Sequence, residues 1–291
     1  IAMLAATLLL SGGASYAQGN KQEKKAKAYM VADAHLDTQW NWDVQTTIKE
    51  YVWNTISQNL FLLKKYPNYV FNFEGGVKYA WMKEYYPAQY EEMKKYIGEG
   101  RWHISGSSWD ATDALVPSTE SFIRNIMLGQ QYYRQEFGVE STDIFLPDCF
   151  GFGWTLPTIA SHCGLIGFSS QKLDWRVHPF YGKSKHPFTI GLWKGIDGSS
   201  IMLAHGYDYG RRWNDEDLSE NKQLKELAGR TPLNTVYRYY GTGDIGGSPT
   251  LAPVRPGGKR PSGNGSGENF RANPGQPYTD YPPYQKPPRC P

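Results

Sequence analysis

The chain has 291 residues, of which 40% are hydrophobic and 15% aromatic, so it can form one large or two small domains with a sizeable core. Its 31 basic and 28 acidic residues give a net charge of +3 and are scattered, which argues against a nucleic-acid-binding surface. Ten tryptophans and 21 tyrosines are many for this length, but aromatic residues both line carbohydrate sites and fill cores.

The beginning of the chain has the pattern of a secretory leader. Residues 3–10 are apolar but too short to span a bilayer, and small residues then lead to a cleavage position after Ala17. We therefore expect a signal peptide at 1–17, incomplete at its start because no basic segment precedes the apolar run, and a linker at 18–28. The leader predicts export to the periplasm or the extracellular space; the alternative is a buried hydrophobic terminus. No later segment is apolar enough to span a membrane.

Strand-like and helix-like segments alternate after the linker. Apolar runs predict strands at 29–34, 69–73, 102–106, 144–146 and 166–169. Apolar residues at helical spacing predict helices at 43–65, 80–97, 118–137 and 158–163, with Gly138 as the C-cap of the third. Two further strands, at 188–193 and 200–204, flank a turn and predict a hairpin. This alternation is typical of an α/β fold with a mostly parallel sheet flanked by helices, in which ligands bind at the carboxyl ends of the strands.

The composition changes near residue 251. Residues 251–291 are rich in proline, glycine, asparagine, serine and arginine and contain almost no aliphatic side chains. Such a segment cannot bury enough apolar surface to offset the entropy lost on ordering, so we expect disorder. The tail is either a natural linker or the product of a shifted reading frame, and we favour the second interpretation.

Several polar residues directly follow predicted strands. His35 and Asp37 follow the first strand, Glu74 the second and Asp148 the fourth. Because strand side chains alternate between faces, His35 and Asp37 point to the same side and could share a divalent cation. Trp40 supplies a flat apolar surface beside them. The simpler alternative is a polar strand end with a hydrogen-bonded histidine.

A second motif places Asp148 on a tight, glycine-flanked turn within residues 145–153. Taken alone, this aspartate could simply cap the turn that follows. Together with His35 and Asp37 it forms a set of one histidine and two aspartates, which suits a hard or borderline metal ion with an open coordination position. No fourth ligand stands out among the remaining histidines, His103, His162, His178, His186 and His205.

A third motif, residues 239–249, surrounds Asp244 with four glycines. Glycines allow the backbone of such a loop to approach a ligand closely. A phosphate-binding loop is a weaker interpretation, because no Lys-Ser/Thr pair follows the glycines and no helix clearly begins there. A plain turn remains the simplest alternative.

Four motifs occur in order between residues 29 and 250: Ala-His-Leu-Asp-Thr-Gln-Trp, Pro-Asp-Cys-Phe-Gly-Phe, Gly-Ile-Asp-Gly-Ser-Ser and Tyr-Gly-Thr-Gly-Asp-Ile-Gly-Gly-Ser-Pro-Thr. Together they resemble glycoside hydrolase family 38, the alpha-mannosidases. The resemblance implies that residues 29–250 are an incomplete N-terminal catalytic domain, an α/β barrel-like or layered structure. Members of this family continue into helical-bundle and β-sandwich domains that are missing from this sequence.

The resemblance also implies a Zn²⁺ ion held by His35, Asp37 and Asp148. Two departures from the family pattern are visible. The family's fourth zinc ligand is a histidine in a later His-His-Asp segment, which this chain lacks, and a histidine present after Phe-Gly in many members is Phe152 here. The resemblance therefore implies a truncated fragment whose own activity is uncertain.

The remaining implied roles concern the sugar. Asp148 matches the nucleophile of a retaining mechanism, and Asp244 lies in the loop expected to carry the acid/base carboxylate. Trp40 matches the aromatic residue that stacks under the mannose, and Lys172 is a candidate sugar contact. The implied partner is an alpha-mannoside glycan, and the oligomeric state is left open.

Two other functions fit parts of the pattern. A metal-dependent polysaccharide deacetylase also uses a His/Asp metal site on an α/β scaffold, but it prefers an additional His-x-x-x-His pair that is absent here. A non-catalytic carbohydrate-binding protein would use the aromatic residues alone.

Overall fold

The computed structural model describes residues 25–174, 189–206, 209 and 218–249. The predicted leader at 1–17 and the tail at 251–291 lie outside the described residues. Within the described ranges, every helix is too short or too polar to cross a bilayer.

Eight strands in the described part of the chain form two four-stranded sheets. In chain order they are β1 (Lys27–Ala34), β2 (Phe71–Phe73), β3 (Trp102–Ile104), β4 (Asp143–Phe145), β5 (Gly167–Ser170), β6 (Ile190–Lys194), β7 (Ser200–His205) and β8 (Thr235–Thr242). The first sheet has the order β3-β2-β1-β8 and is parallel throughout. The second has the order β4-β5-β7-β6, with only the β6–β7 hairpin antiparallel. The predicted α/β class is confirmed, although two sheets replace the single sheet of the prediction.

Helices connect most of these strands. The α-helices of the described residues are α1 (Val44–Thr46), α2 (Trp53–Lys65), α3 (Gly76–Tyr85), α4 (Pro87–Gly98), α5 (Thr119–Phe137), α6 (Leu156–His162) and α7 (Lys222–Gly229). The π-helical segment Thr47–Val52 joins α1 to α2, so the continuous helix predicted at 43–65 is present. Asp43 caps its first turn, accepting a hydrogen bond from the Thr46 backbone N–H at 2.8 Å.

The prediction of a single helix at 80–97 is wrong, because the structure has two helices in this region, α3 and α4. Tyr86 separates α3 from α4 with φ −135° and ψ 55°, outside the helical region. The cause is Pro87, since a proline ring disfavours the helical conformation of the residue before it. Pro87 then begins α4, a position where its missing N–H costs nothing.

Strand β8 is absent from the sequence-based prediction, which assigns the segment from Tyr239 to a loop. In the structure β8 pairs in parallel with β1 along its whole length, from Lys27 opposite Thr235 to Ala34 opposite Thr242. Its β-branched and aromatic residues are typical of strands, and this signal would have identified it.

Three hydrophobic cores support the sheets in the described residues: one between β1–β3 and helices α2–α4, a second around β4, β5 and α6, and a smaller third between α7 and β8. Tyr239 of β8 connects the two sheets: its ring contacts Phe145 of β4 edge-on, with centroids 5.5 Å apart, and its hydroxyl hydrogen-bonds Ser169 of β5. Burial of each large aromatic side chain contributes about 1.5–3 kcal/mol. These contacts bring the carboxyl ends of β1, β4 and β8 to one region.

Helix α5 supports the segment that follows β3. Asn125 of α5 accepts the Trp109 backbone N–H at 2.9 Å through its carbonyl oxygen, and its side chain accepts the Asp110 N–H at 3.1 Å. Gly129 allows this close approach, because a Cβ atom there would lie 2.2 Å from the Ser107 carbonyl oxygen and 2.4 Å from the Ser108 carbonyl carbon. The segment continues into residues 111–113, which line the candidate site.

Replacing Gly129 with alanine is expected to destabilise the protein by about 3 kcal/mol, because backbone atoms on both sides must move apart. The matched control is Gly98→Ala, also in a helix, where nothing lies within 4 Å of the added Cβ. This control is expected to be neutral or stabilising by up to about 1 kcal/mol. Urea unfolding of both variants measures the difference, and equal stabilities would contradict the proposed close contact.

Candidate functional site

The candidate site lies where β1, β4 and β8 end. His35 and Asp37 follow β1, Asp148 follows β4 and Asp244 follows β8. One potential ligand atom from each of His35, Asp37 and Asp148 lies within 4.8 Å of the others. The structure therefore brings together the three residues that the sequence predicted as a metal site.

Backbone hydrogen bonds beyond the ends of β1 and β8 hold these residues in place. The N–H of His35 donates to the Thr242 carbonyl at 2.9 Å, and the N–H of Asp37 donates to the Asp244 carbonyl at 2.8 Å. Leu36, between them, is fully buried, so the side chains on either side of it face the site. Asp244 itself has a φ of +59°, a left-handed conformation that aspartate tolerates better than most residues.

His35 lies between two carboxylates. Its Nδ1 donates to Glu74 Oε1 at 2.9 Å, and its Nε2 lies 3.0 Å from Asp37 Oδ1, within hydrogen-bonding distance. Burial by itself would lower the pKa of His35, but these two hydrogen bonds and the negative charge of Glu74 outweigh it and raise the pKa to about 9. The ring is thus oriented firmly, with Nε2 on the side of Asp37.

Glu74 is in turn paired with a buried lysine. Lys78, in the first turn of α3, places its Nζ 3.0 Å from Glu74 Oε2. Burial would raise the pKa of Glu74, but the charge of Lys78 and the hydrogen bond from His35 prevail and lower it to about 2. The sequence predicted Glu74 only as a carboxylate at the end of a strand, and Lys78 was not predicted as part of the site. The Glu-x-x-x-Lys spacing was the available signal.

Asp148 is held by two side chains from the second sheet. Lys172, just after β5, places its Nζ 2.5 Å from Asp148 Oδ1 and 4.6 Å from the centroid of the Phe150 ring. The Tyr209 hydroxyl lies 3.2 Å from Asp148 Oδ2. Lys172, which the sequence predicts as a sugar contact, lies directly against the carboxylate of Asp148.

Tyr209 connects the two carboxylates. Its hydroxyl lies 2.9 Å from Asp244 Oδ1 as well as 3.2 Å from Asp148 Oδ2, and its single proton can be donated to one of them at a time. Burial, followed by the charges of Asp148 and Asp244, raises the pKa of Tyr209 far above its usual range, so the hydroxyl remains a donor. Tyr209 was not predicted from the sequence as a site residue. The signal was its position after β7, a strand parallel to β5 whose carboxyl end reaches the same edge.

A cavity of about 190 Å³ opens beside this cluster. Its walls come from the ends of β1 and β4 and from the segment supported by α5; the lining residues include His35, Asp37, Asp113, Asp148 and Phe150. Cys149 joins two walls, since its Sγ donates to the Thr112 carbonyl at 2.8 Å. Trp40 is not among the described residues that line the cavity; it is 60% exposed and packs edge-on against Trp42.

The donor set fits a borderline divalent cation. One imidazole nitrogen and two carboxylates are ligands that Zn²⁺ accepts, and the hydrogen bond from Nδ1 to Glu74 directs Nε2 of His35 toward the two aspartates. Among the residues that the structure describes, no fourth His, Cys, Asp or Glu joins this group.

Proteins of known family show strong similarity to this chain. A family model described as "Glycosyl hydrolases family 38 N-terminal domain" matches residues 25–253. Alpha-mannosidase G of Dictyostelium discoideum is 33% identical over 241 residues, covering 81% of this chain and 21% of that protein. Alpha-mannosidase 2C1 of Homo sapiens is 29% identical over 232 residues, covering 78% of this chain and 21% of that protein. The chain thus spans about a fifth of the length of these curated relatives.

A solved structure shares the fold. An alpha-mannosidase from Enterococcus faecalis V583 superposes with a TM-score of 0.61 and 21% sequence identity, over 77% of this chain and 26% of that chain. Structural similarity at this level of sequence identity supports a shared fold and nothing more. The assignment follows from the family model, which matches residues 25–253, a range that includes all four ordered motifs of this chain. The chain belongs to glycosyl hydrolase family 38.

Proposed function

We propose that the full-length gene product is a retaining, zinc-dependent alpha-mannosidase that hydrolyses alpha-mannosides of glycans. The observation that carries the proposal is the pair of carboxylates, Asp148 and Asp244, joined by the Tyr209 hydroxyl at the edge of a His/Asp/Asp cluster. The similarity to alpha-mannosidases supports the choice of substrate.

The spacing of the two carboxylates supports retention of anomeric configuration. Asp148 Oδ2 and Asp244 Oδ1 both lie within 3.2 Å of the Tyr209 hydroxyl oxygen. The separation between these two carboxylate oxygens is therefore at most twice that distance. Carboxyl groups are about 5–5.5 Å apart in retaining glycosidases and about 6.5–9.5 Å apart in inverting ones. The arrangement falls on the retaining side.

In this mechanism Asp148 attacks the anomeric carbon while Asp244 donates its proton to the leaving oxygen. Asp244 then accepts a proton from the water that releases mannose from Asp148. Lys172 and Tyr209 hold and orient the Asp148 carboxylate through an ion pair and a hydrogen bond. A Zn²⁺ ion held by His35, Asp37 and Asp148 would supply a Lewis acid for adjacent sugar hydroxyls. Trp40 offers an exposed aromatic face for stacking against a sugar ring.

The alternatives explain less of the site. A non-catalytic carbohydrate-binding protein has no need of two carboxylates bridged by one hydroxyl. A polysaccharide deacetylase would account for the metal ligands, but it gives no role to Asp244.

Substitutions at the two carboxylates should have different effects on the full-length product. Asp148→Asn is expected to lower kcat about 10⁴-fold or more for every mannoside, because no nucleophile remains. Asp244→Asn is expected to lower kcat about 10²–10⁴-fold for substrates with poor leaving groups. The loss should be far smaller for a dinitrophenyl mannoside, whose leaving group departs without protonation. Asp197→Asn, in the exposed β6–β7 turn, is the matched control and should leave kcat unchanged.

The stereochemical outcome separates retention from inversion. Proton NMR of the first product is expected to show the alpha anomer of mannose. A beta anomer, or equal losses for both leaving groups in the Asp244 variant, would contradict the assigned roles.

Removal of the metal should abolish turnover. Dialysis of the full-length product against a chelator is expected to eliminate mannosidase activity, and Zn²⁺ should restore it, because the substrate hydroxyls lose their Lewis acid. His35→Ala should weaken zinc binding measured by calorimetry. A purified product that is fully active yet contains no zinc by elemental analysis would refute the metal requirement.

We also propose export, on the basis of the leader at 1–17. The mature protein, recovered from the periplasm or the medium and sequenced from its N-terminus, is expected to begin at Gln18. Retention of residues 1–17 in the recovered protein would contradict cleavage at this position.

A further inference from the structure

Two charged side chains are buried directly behind the candidate metal site. Glu74 is 3% exposed and Lys78 is completely buried, so neither charge is solvated. Burying an ion pair is costly, and well-packed apolar residues would be at least as stabilising at these positions. Stability therefore does not by itself explain the pair, and its contacts must be considered.

Both oxygens of Glu74 are used, one toward each partner. Oε1 accepts from His35 Nδ1 at 2.9 Å, and Oε2 accepts from Lys78 Nζ at 3.0 Å. Gly75 makes room for this arrangement: its φ is +89°, and a Cβ atom there would lie 3.2 Å from Lys78 Nζ. The sharp turn between β2 and α3 thus folds Lys78 back onto the carboxylate.

We propose that Glu74 and Lys78 are positioning residues for the metal ligand His35. Lys78 fixes the Glu74 carboxylate, and Glu74 holds the His35 ring with its proton on Nδ1, so that Nε2 is presented to the metal beside Asp37. Neither residue is among those that line the cavity. The inference rests on the proposed metal-dependent function and concerns how tightly this chain holds the ion.

The physical basis is the fixed orientation and increased basicity of the imidazole. A histidine whose Nδ1–H donates to a carboxylate is a better donor through Nε2 than one bonded to a neutral group. Lys78 hydrogen-bonds the other oxygen of the same carboxylate at 3.0 Å and so fixes its orientation. Loss of such supporting contacts weakens metal binding about 10–100-fold in other metal sites.

The test compares Zn²⁺ affinities of full-length variants by competition with a chromophoric chelator. The double variant Glu74→Gln/Lys78→Met removes both buried charges at nearly constant volume and is expected to weaken zinc binding about 10–100-fold. The matched control, Lys83→Met/Glu136→Gln, removes an ion pair between α3 and α5 away from the site, 2.6 Å between Lys83 Nζ and Glu136 Oε1, and should bind zinc unchanged.

A second variant keeps the test valid if the double variant does not fold. Glu74→Asp retains the charge and the pairing with Lys78 but withdraws the carboxylate from Nδ1, and it should also weaken zinc binding at least about 10-fold. Thermal unfolding of the metal-free proteins separates loss of affinity from loss of structure.

The outcomes distinguish this inference from the proposed function. A parent protein that binds Zn²⁺ tightly, with folded Glu74 variants that bind it equally well, would overturn the positioning role and leave the metal site intact. A parent protein that binds no divalent metal would overturn the metal site and this inference together.

Discussion

The parallel pairing of β1 with β8 is the constraint on which the site depends. The two strands come from opposite ends of the described chain and pair over their full length, from Lys27 opposite Thr235 to Ala34 opposite Thr242. Hydrogen bonds continue past the strand ends and fix His35 and Asp37 against the loop of Asp244. Without this register the two metal-ligand candidates would not lie beside Asp244 at the same edge of the sheet.

Charge compensation is the second organising principle. Carboxylates converge here in a partly buried region, where an unpaired charge would be expensive. Each carboxylate has a hydrogen-bonding partner: His35 for Asp37, Lys78 for Glu74, Lys172 for Asp148 and Tyr209 for Asp244. The same contacts that offset the free-energy cost of burying these charges also orient the side chains. The groups proposed to bind metal and sugar are therefore preorganised by the fold.

The two sheets contribute different parts of the proposed chemistry. The first provides His35, Asp37 and Asp244, and the second provides Asp148 and Lys172. Tyr239, packed between the sheets, and Tyr209, hydrogen-bonded to a carboxylate from each, connect the two halves. The relative position of Asp148 and Asp244 is therefore a property of the contact between the two sheets.

Several features could be predicted from the sequence alone. They are the shared face of His35 and Asp37, the glycine-flanked turn of Asp148, the helix that begins after Asp43, and the family indicated by four ordered motifs. These follow from the periods of strands and helices and from turn chemistry, which depend on neighbouring residues. Three features are visible only in the tertiary structure: the division of the strands into two sheets, the hydroxyl of Tyr209 between Asp148 and Asp244, and the contact of Lys78 with Glu74. Such contacts depend on which distant segments pack together, and the period of a local pattern carries no information about its distant partner.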